Sequence, residues 1–187
     1  MRSAIVISIC CLLLSSCEND EKDVQALIQK KASVDIGINI ESYLSQTGKV
    51  KAKLTAPLMK NYETEDPGVY PKTPYVEFPK SLHVDFYNDT MLIESRLDAR
   101  YGKYRQNEKK VFLKDSVVVY NIQGDTLRSR ELWWDQNKAQ FYTDKPASIY
   151  RKDRTIIYGQ NGLTASQDFS EVTVHESSGQ IPMKDSL

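Results

Sequence analysis

VFLKDSVVVYNIQGDTLRSRELWW, residues 111–134, reads as two β-strands around a tight turn. Val111 and Leu113 alternate with Phe112 and Lys114, and Val117-Val118-Val119-Tyr120 is a β-branched and aromatic run. Gln123-Gly124-Asp125 supplies the residues of a hairpin turn, and the chain then returns to apolar side chains at Leu132-Trp133-Trp134. The same period of two recurs outward from this hairpin. Val50, Ala52, Leu54 and Ala56 alternate with Lys51, Lys53 and Thr55; Leu82, Val84 and Phe86 alternate with His83 and Asp85. Ala147 and Ile149 flank Ser148, and Val172 and Val174 flank Thr173. No stretch of the mature chain sustains a helical period over three turns, so the fold class is all-β.

Turn residues stand where hairpins need them, at Thr47-Gly48, Asn88-Asp89, Gln136-Asn137, Lys152-Asp153 and Ser178-Gly179. Residues 63–74 carry three prolines and a glycine and read as a loop, because proline cannot donate to a sheet ladder. Three segments echo one another: SLHVDFYNDTMLIES, DSVVVYNIQGDTLRS and PASIYRKDRTIIYG. Their spacing drifts too much for a strict solenoid and suits stacked hairpins building one twisted sheet.

The N-terminus has the anatomy of an export signal. Arg2 precedes an apolar run from Ala4 to Leu14, broken only by Ser8 and too short for a comfortable membrane span of about 20 residues. Leu14-Ser15-Ser16-Cys17 resembles the lipobox of bacterial lipoproteins, which implies a signal peptide at 1–16, cleavage before Cys17 and acylation of that cysteine. Cys10, Cys11 and Cys17 are the only cysteines, so the mature domain can form no internal disulfide and no thiolate zinc site. Residues 17–35 read as a charged, lipidated tether and 36–187 as a single β domain. Lys plus Arg and Asp plus Glu both number 25. With no charge excess, nucleic acid is not an expected partner.

Little in the chain points to catalysis. His83 and His175 stand in strands without a second ligand at metal spacing, and Gly159-Gln160-Asn161-Gly162 lacks the Gly-Lys-Ser/Thr of a phosphate loop. No nucleophile elbow and no distinct carboxylate pair occur. No enzyme activity, cofactor or metal is expected. Two features stand out instead. Some strands are apolar on both faces, as at Val111-Phe112-Leu113, Val117 to Tyr120 and Ile156-Ile157-Tyr158, which fits either a sandwich with a second contact or a sheet folded around a greasy ligand. Lys51, Lys53, Lys80, Lys103, Arg105, Lys109 and Lys110 are candidates for contact with phosphorylated head groups, against the alternative of solvated strand charges.

From about Tyr43 to Ile181 the chain closely resembles the lipopolysaccharide-export family LptC in its lipoprotein form. The most specific stretches are Glu77-Phe78-Pro79, the hairpin Asn121-x-x-Gly124-Asp125-x-Leu127-x-Ser129-x-x-Leu132, and Tyr142-Thr143-Asp144. The resemblance implies an open, boat-shaped antiparallel β-jellyroll of the OstA/LptA type. It also implies that lipopolysaccharide acyl chains are taken from an inner-membrane ABC transporter, with LptF/LptG-type subunits and LptB, and passed to an LptA-like periplasmic bridge. Val50, Leu54, Leu82, Val84, Phe86, Leu113, Val117, Val119, Leu132, Ile149 and Ile157 are then expected to line the groove. Ile38 and Ile40, within residues 36–44, would meet the transporter; Val172 and Val174, within 171–176, would meet the bridge. On this view, removing residues 169–187 should leave the fold intact and abolish bridge binding. The expected site is the periplasmic face of the inner membrane. The competing reading is an envelope lipoprotein that binds another amphiphile or scaffolds outer-membrane assembly.

Overall fold

A computed structural model describes residues 34–62 and 74–180; the leader, Cys17, most of the tether, loop residues 63–73 and the last seven residues lie outside it. Fourteen strands run in chain order: β1 (Val34–Gln46), β2 (Lys49–Tyr62), β3 (Tyr75–Phe78), β4 (Leu82–Tyr87), β5 (Ile93–Ala99), β6 (Tyr101–Arg105), β7 (Lys110–Asn121), β8 (Thr126–Asp135), β9 (Gln140–Thr143), β10 (Ala147–Tyr150), β11 (Ile156–Gly159), β12 (Leu163–Ser166), β13 (Val172–Val174) and β14 (Ser177–Gln180). The described residues contain no helix, and every pairing is antiparallel. β1 begins at Val34, so the last two residues read as tether are already strand.

The long strands change partners midway. β2 pairs with β4 through Ala52–Thr55 and with β3 through Lys60–Tyr62. β7 pairs with β6 through Lys110–Lys114 and with β5 through Val118–Asn121. β8 pairs with β10 near its start and with β9 near its end. The short strands come in consecutive couples, β3/β4, β5/β6, β9/β10, β11/β12 and β13/β14, each equivalent to one long strand broken in the middle. The chain is therefore a meander of nine legs, each crossing a crease from one layer to the other. Layer one holds the second half of β1, the first half of β2, β4, β5, the second half of β7, the first half of β8, β10, β11 and β14. Layer two holds the remaining halves with β3, β6, β9, β12 and β13. First and last legs do not pair, so the folded sheet stays open: an open jellyroll.

Local chemistry sets the crease. Pro57 cannot donate an amide, and Asn39, Asp115 and Ser116 take positive φ of 50°, 61° and 54°. The register of β7 shifts between Lys114 and Val117. In β8 the Ser129 hydroxyl donates to the carbonyl of Glu131 at 2.7 Å, supplying a bond the ladder has lost. In the eighth leg Gly162 has φ 98°, and a Cβ there would run into the backbone carbonyl of Thr143.

Between the layers lies one apolar core. Phe86 of layer one packs edge-on against Trp134 at 4.9 Å and Phe141 at 5.6 Å, both from layer two. The Asn121 hairpin is tied at the mouth opposite the crease. Its side-chain oxygen accepts the Asp125 amide at 2.9 Å, and its side-chain nitrogen donates to the carbonyl of Asp168 at 3.0 Å. Arg151 pairs with Asp125 at 2.6 Å. The spacing of Asn121, Gly124 and Asp125 is thus structural: Gly124 takes φ 97° in the turn while the two polar side chains stitch loop to layer.

Candidate functional site between the layers

The interior differs along its length. Around Phe86 of the third leg and through the later legs it is filled: Phe86, Leu113, Val119, Leu132 and Ile149 are each 0 % exposed, and Val117 only 1 %. Phe169, in the loop after β12, is 3 % exposed and occupies the mouth there with φ 63°. At the first three legs the layers diverge around an apolar cavity of about 230 Å³. Ile40, Leu44, Leu54 and Met59 form its wall on the edge legs; Val84, Tyr104, Val111 and Trp134 form the opposite side. Small-molecule pockets usually span about 300–1,000 Å³, so this volume suits a stretch of one slender chain.

The groove residues named from sequence therefore fall into three groups. Leu54 and Val84 line the cavity. Leu82, Phe86, Leu113, Val117, Val119, Leu132 and Ile149 face the same interior but are packed among themselves. Val50 and Ile157 are half-buried, Ile157 against the core and Val50 on the inward face of β2. Of the two edge candidates on β1, Ile38 is 73 % exposed, whereas Ile40 packs inward and lines the cavity. The bend at Asn39 reverses the face between them, which alternation alone cannot show. Val172 and Val174 pack against the core on the last leg. Leu44, Met59, Tyr104 and Trp134 were missed as lining residues because the widening of the layers leaves no mark on local pattern.

Leu44, Trp134 and Gln136 also border a second, polar cleft of about 250 Å³ at the mouth, lined by Lys51, Asn88, Asp89 and Glu94. Greasy cavity and polar cleft thus adjoin across shared side chains, an arrangement that matches an amphiphile. Trp134 is 4 % exposed and its indole N–H has no partner among the described residues. Across the cleft Lys51 pairs with Asp89 at 2.5 Å, which holds the Asp89 carboxyl below its usual range. Glu94 moves the other way, raised first by burial and then by the charge of Asp168. Partial desolvation pushes the Asp168 carboxyl up, and hydrogen bonds from Ser166 and Ser170 outweigh it and keep the carboxyl low.

A third cleft runs along the crease, where His83 lies beside Asp98 at 2.7 Å and Asp85 at 3.3 Å. Arg96 donates to the same Asp85 carboxylate at 3.0 Å. These contacts place His83 in a charge network on the outer side of layer one. Among the described residues no group of three or more His, Cys, Asp or Glu side chains could hold a metal ion. No helix among them is long and apolar enough to cross a membrane.

Edge chemistry completes the picture. β1 pairs only on its β2 side, and β13 and β14 pair only with β12 and β11, so both ends of the sheet present unpaired backbone among the described residues. A profile of the family described as "Lipopolysaccharide-assembly, LptC-related" matches residues 3–176. No individual curated protein matches the chain. With an open, creased β-jellyroll and a family match over nearly its whole length, the chain belongs to the LptC family and has a role in the lipopolysaccharide transport machinery.

Proposed function

We propose that the protein holds acyl chains of lipopolysaccharide in the cavity between its layers, accepting them from an inner-membrane ABC transporter and passing them to a bridging periplasmic jellyroll. The observation that carries this reading is the apolar cavity at the first three legs, adjoining a polar cleft at the mouth. An acyl chain of about a dozen CH₂ groups is worth roughly 10 kcal/mol in water avoidance, so transfer through an aqueous space requires a covered apolar path. The free edge of β1 is the side on which a transporter subunit would add its own sheet, and the last leg is the side for the bridge. Cys17, carrying acyl chains, would hold the domain at the periplasmic face of the inner membrane. In this reading the packed later legs separate to let the chains advance, since Phe169 and its neighbours fill that space.

Site-specific photocrosslinking in cells tests the proposal. A photoreactive residue at Leu44, Leu54 or Met59 should give lipopolysaccharide adducts, and one at Lys103 on the outside should not. Adducts to a different lipid at the same positions would favour the reading of a carrier for another amphiphile. No adduct at any of them, with folded protein and lipopolysaccharide being made, would remove the cavity from the transport path.

A further inference from the structure

Both outer faces of the folded sheet carry ion pairs and cation–ring contacts. On layer one Lys51 pairs with Asp89, Lys53 with Glu41 and Arg96 with Asp85, and Lys53 and Arg128 also lie over the rings of Tyr43 and Tyr150 at 5.7 and 5.9 Å. On layer two the cation–ring contacts gather around one row. Lys103 lies 4.0 Å from the centroid of Tyr75, Arg105 5.0 Å from that of Trp133, and Lys110 5.9 Å from that of Tyr142.

Register explains the array. Glu77, Lys103, Phe112, Trp133 and Tyr142 stand directly opposite one another on successive strands and share the outer face. Phe112 and Trp133 lie 5.0 Å apart, and Trp133 stacks on Tyr142 at 6.3 Å. This row is why the sequence is apolar on both faces of β7. On the first leg the same face carries Val34, Ile36 and Ile38, which are 38 %, 63 % and 73 % exposed. Lys60, Lys103, Arg105, Lys110 and Lys114 stand among these groups, against the carboxylates of Glu77, Glu131, Asp135 and Glu108, the last paired with Arg105 at 3.2 Å. Five cations and four carboxylates thus stand beside exposed aliphatic side chains and a row of half-buried rings.

We infer that the outer face of layer two docks on a membrane surface containing anionic lipid. Trp, Tyr, Lys and Arg around shallow aliphatic side chains form the composition that settles at the level of lipid head groups. Position supports the choice. The described chain starts with Val34 on this face, and the 16 residues between it and Cys17 can extend roughly 55 Å at most, at about 3.3 Å each. The inference rests on the proposed lipid anchor for its geometry, and the docked face would hold the tethered domain flat until a partner joins its edge.

The test uses the mature lipidated protein in mixed phosphatidylcholine–phosphatidylglycerol vesicles carrying brominated lipid, with phosphatidylcholine vesicles in parallel. Trp133 fluorescence should be quenched in the anionic vesicles only, and high salt should relieve it. The quenched component should vanish in W133F, which leaves the interior Trp134. In a variant with Lys103, Arg105 and Lys110 changed to Gln, occupancy of the docked state should fall by roughly a hundred-fold, about five-fold per cation. Protein that floats with the vesicles but shows no Trp133 quenching overturns the docked face and leaves the anchor standing. Protein that does not float refutes the anchor; quenching on direct addition to vesicles then still upholds the face, and its absence overturns it.

Discussion

Single residues hold the crease and the mouth. Gly162 sits in the left-handed region, where a side chain costs about 1–2 kcal/mol, and the backbone of Thr143 occupies the place of its Cβ. Gly162→Ala should therefore lose roughly 2–4 kcal/mol, lowering the melting temperature by about 5–12 °C in thermal circular dichroism. Glu94 gives the pH behaviour of the mouth. Burial and Asp168 raise its pKa above the ordinary 4.5, so the folded state binds its proton more tightly than the unfolded one. A carboxyl of this kind is tolerated while protonated and costs stability as pH climbs through the ordinary value to the folded one. Glu94→Gln should thus raise the melting temperature at pH 7 and change it little at pH 4. Equal gains at both values would show that the ionised form carries no penalty.

At the scale of elements, legs matter more than strands. Each leg is one strand with a bend, and inner-face parity is renewed after each bend, as Leu127 and Leu132 on β8 show. The last leg illustrates the consequence. A cut removing 169–187 would pass through Phe169, a core residue, and strip Val172 and Val174 from the core. The expectation that such a truncation spares the fold is corrected on that ground: loss of a buried Phe alone costs about 3–5 kcal/mol. Removing only 176–187 takes away β14 and bares β11, while β13 and Phe169 stay. The shorter deletion should retain a cooperative urea transition and the longer one should shift it to much lower urea. If bridge binding uses this edge, a pull-down with the shorter form should lose it.

Across the whole molecule, an open sheet has a gradient of protection. β7 and β8 pair on both sides over most of their length and contribute Leu113, Val119, Leu127 and Leu132 to the driest part of the core. β1, β13 and β14 have one neighbour each. Native-state hydrogen exchange should be slowest in β7 and β8 and fastest in β1 and the final leg. Uniform protection would argue that the edges are covered in solution. The gradient suits the proposed role, since the edges meant to join other sheets are those least committed to their own.

Much of this was legible in the chain. Period-two alternation around the Gln123-Gly124-Asp125 turn identified an all-β fold, and the spacing of Asn121, Gly124 and Asp125 carried the family resemblance. Most expected groove residues do face the interior, because alternation on a half-buried strand is enforced by the exclusion of water from one face. Three matters belonged to the tertiary structure alone. The bend at Asn39 sends Ile38 out and Ile40 in. The separation of the layers opens a cavity beside Leu44, Met59 and Trp134 while the later legs close on Phe169. Cross-strand register gathers Phe112, Trp133 and Tyr142 with cations on one outer face. Local pattern records which face a residue takes within a strand; where strands bend and how far layers part depend on contacts between residues distant in the chain.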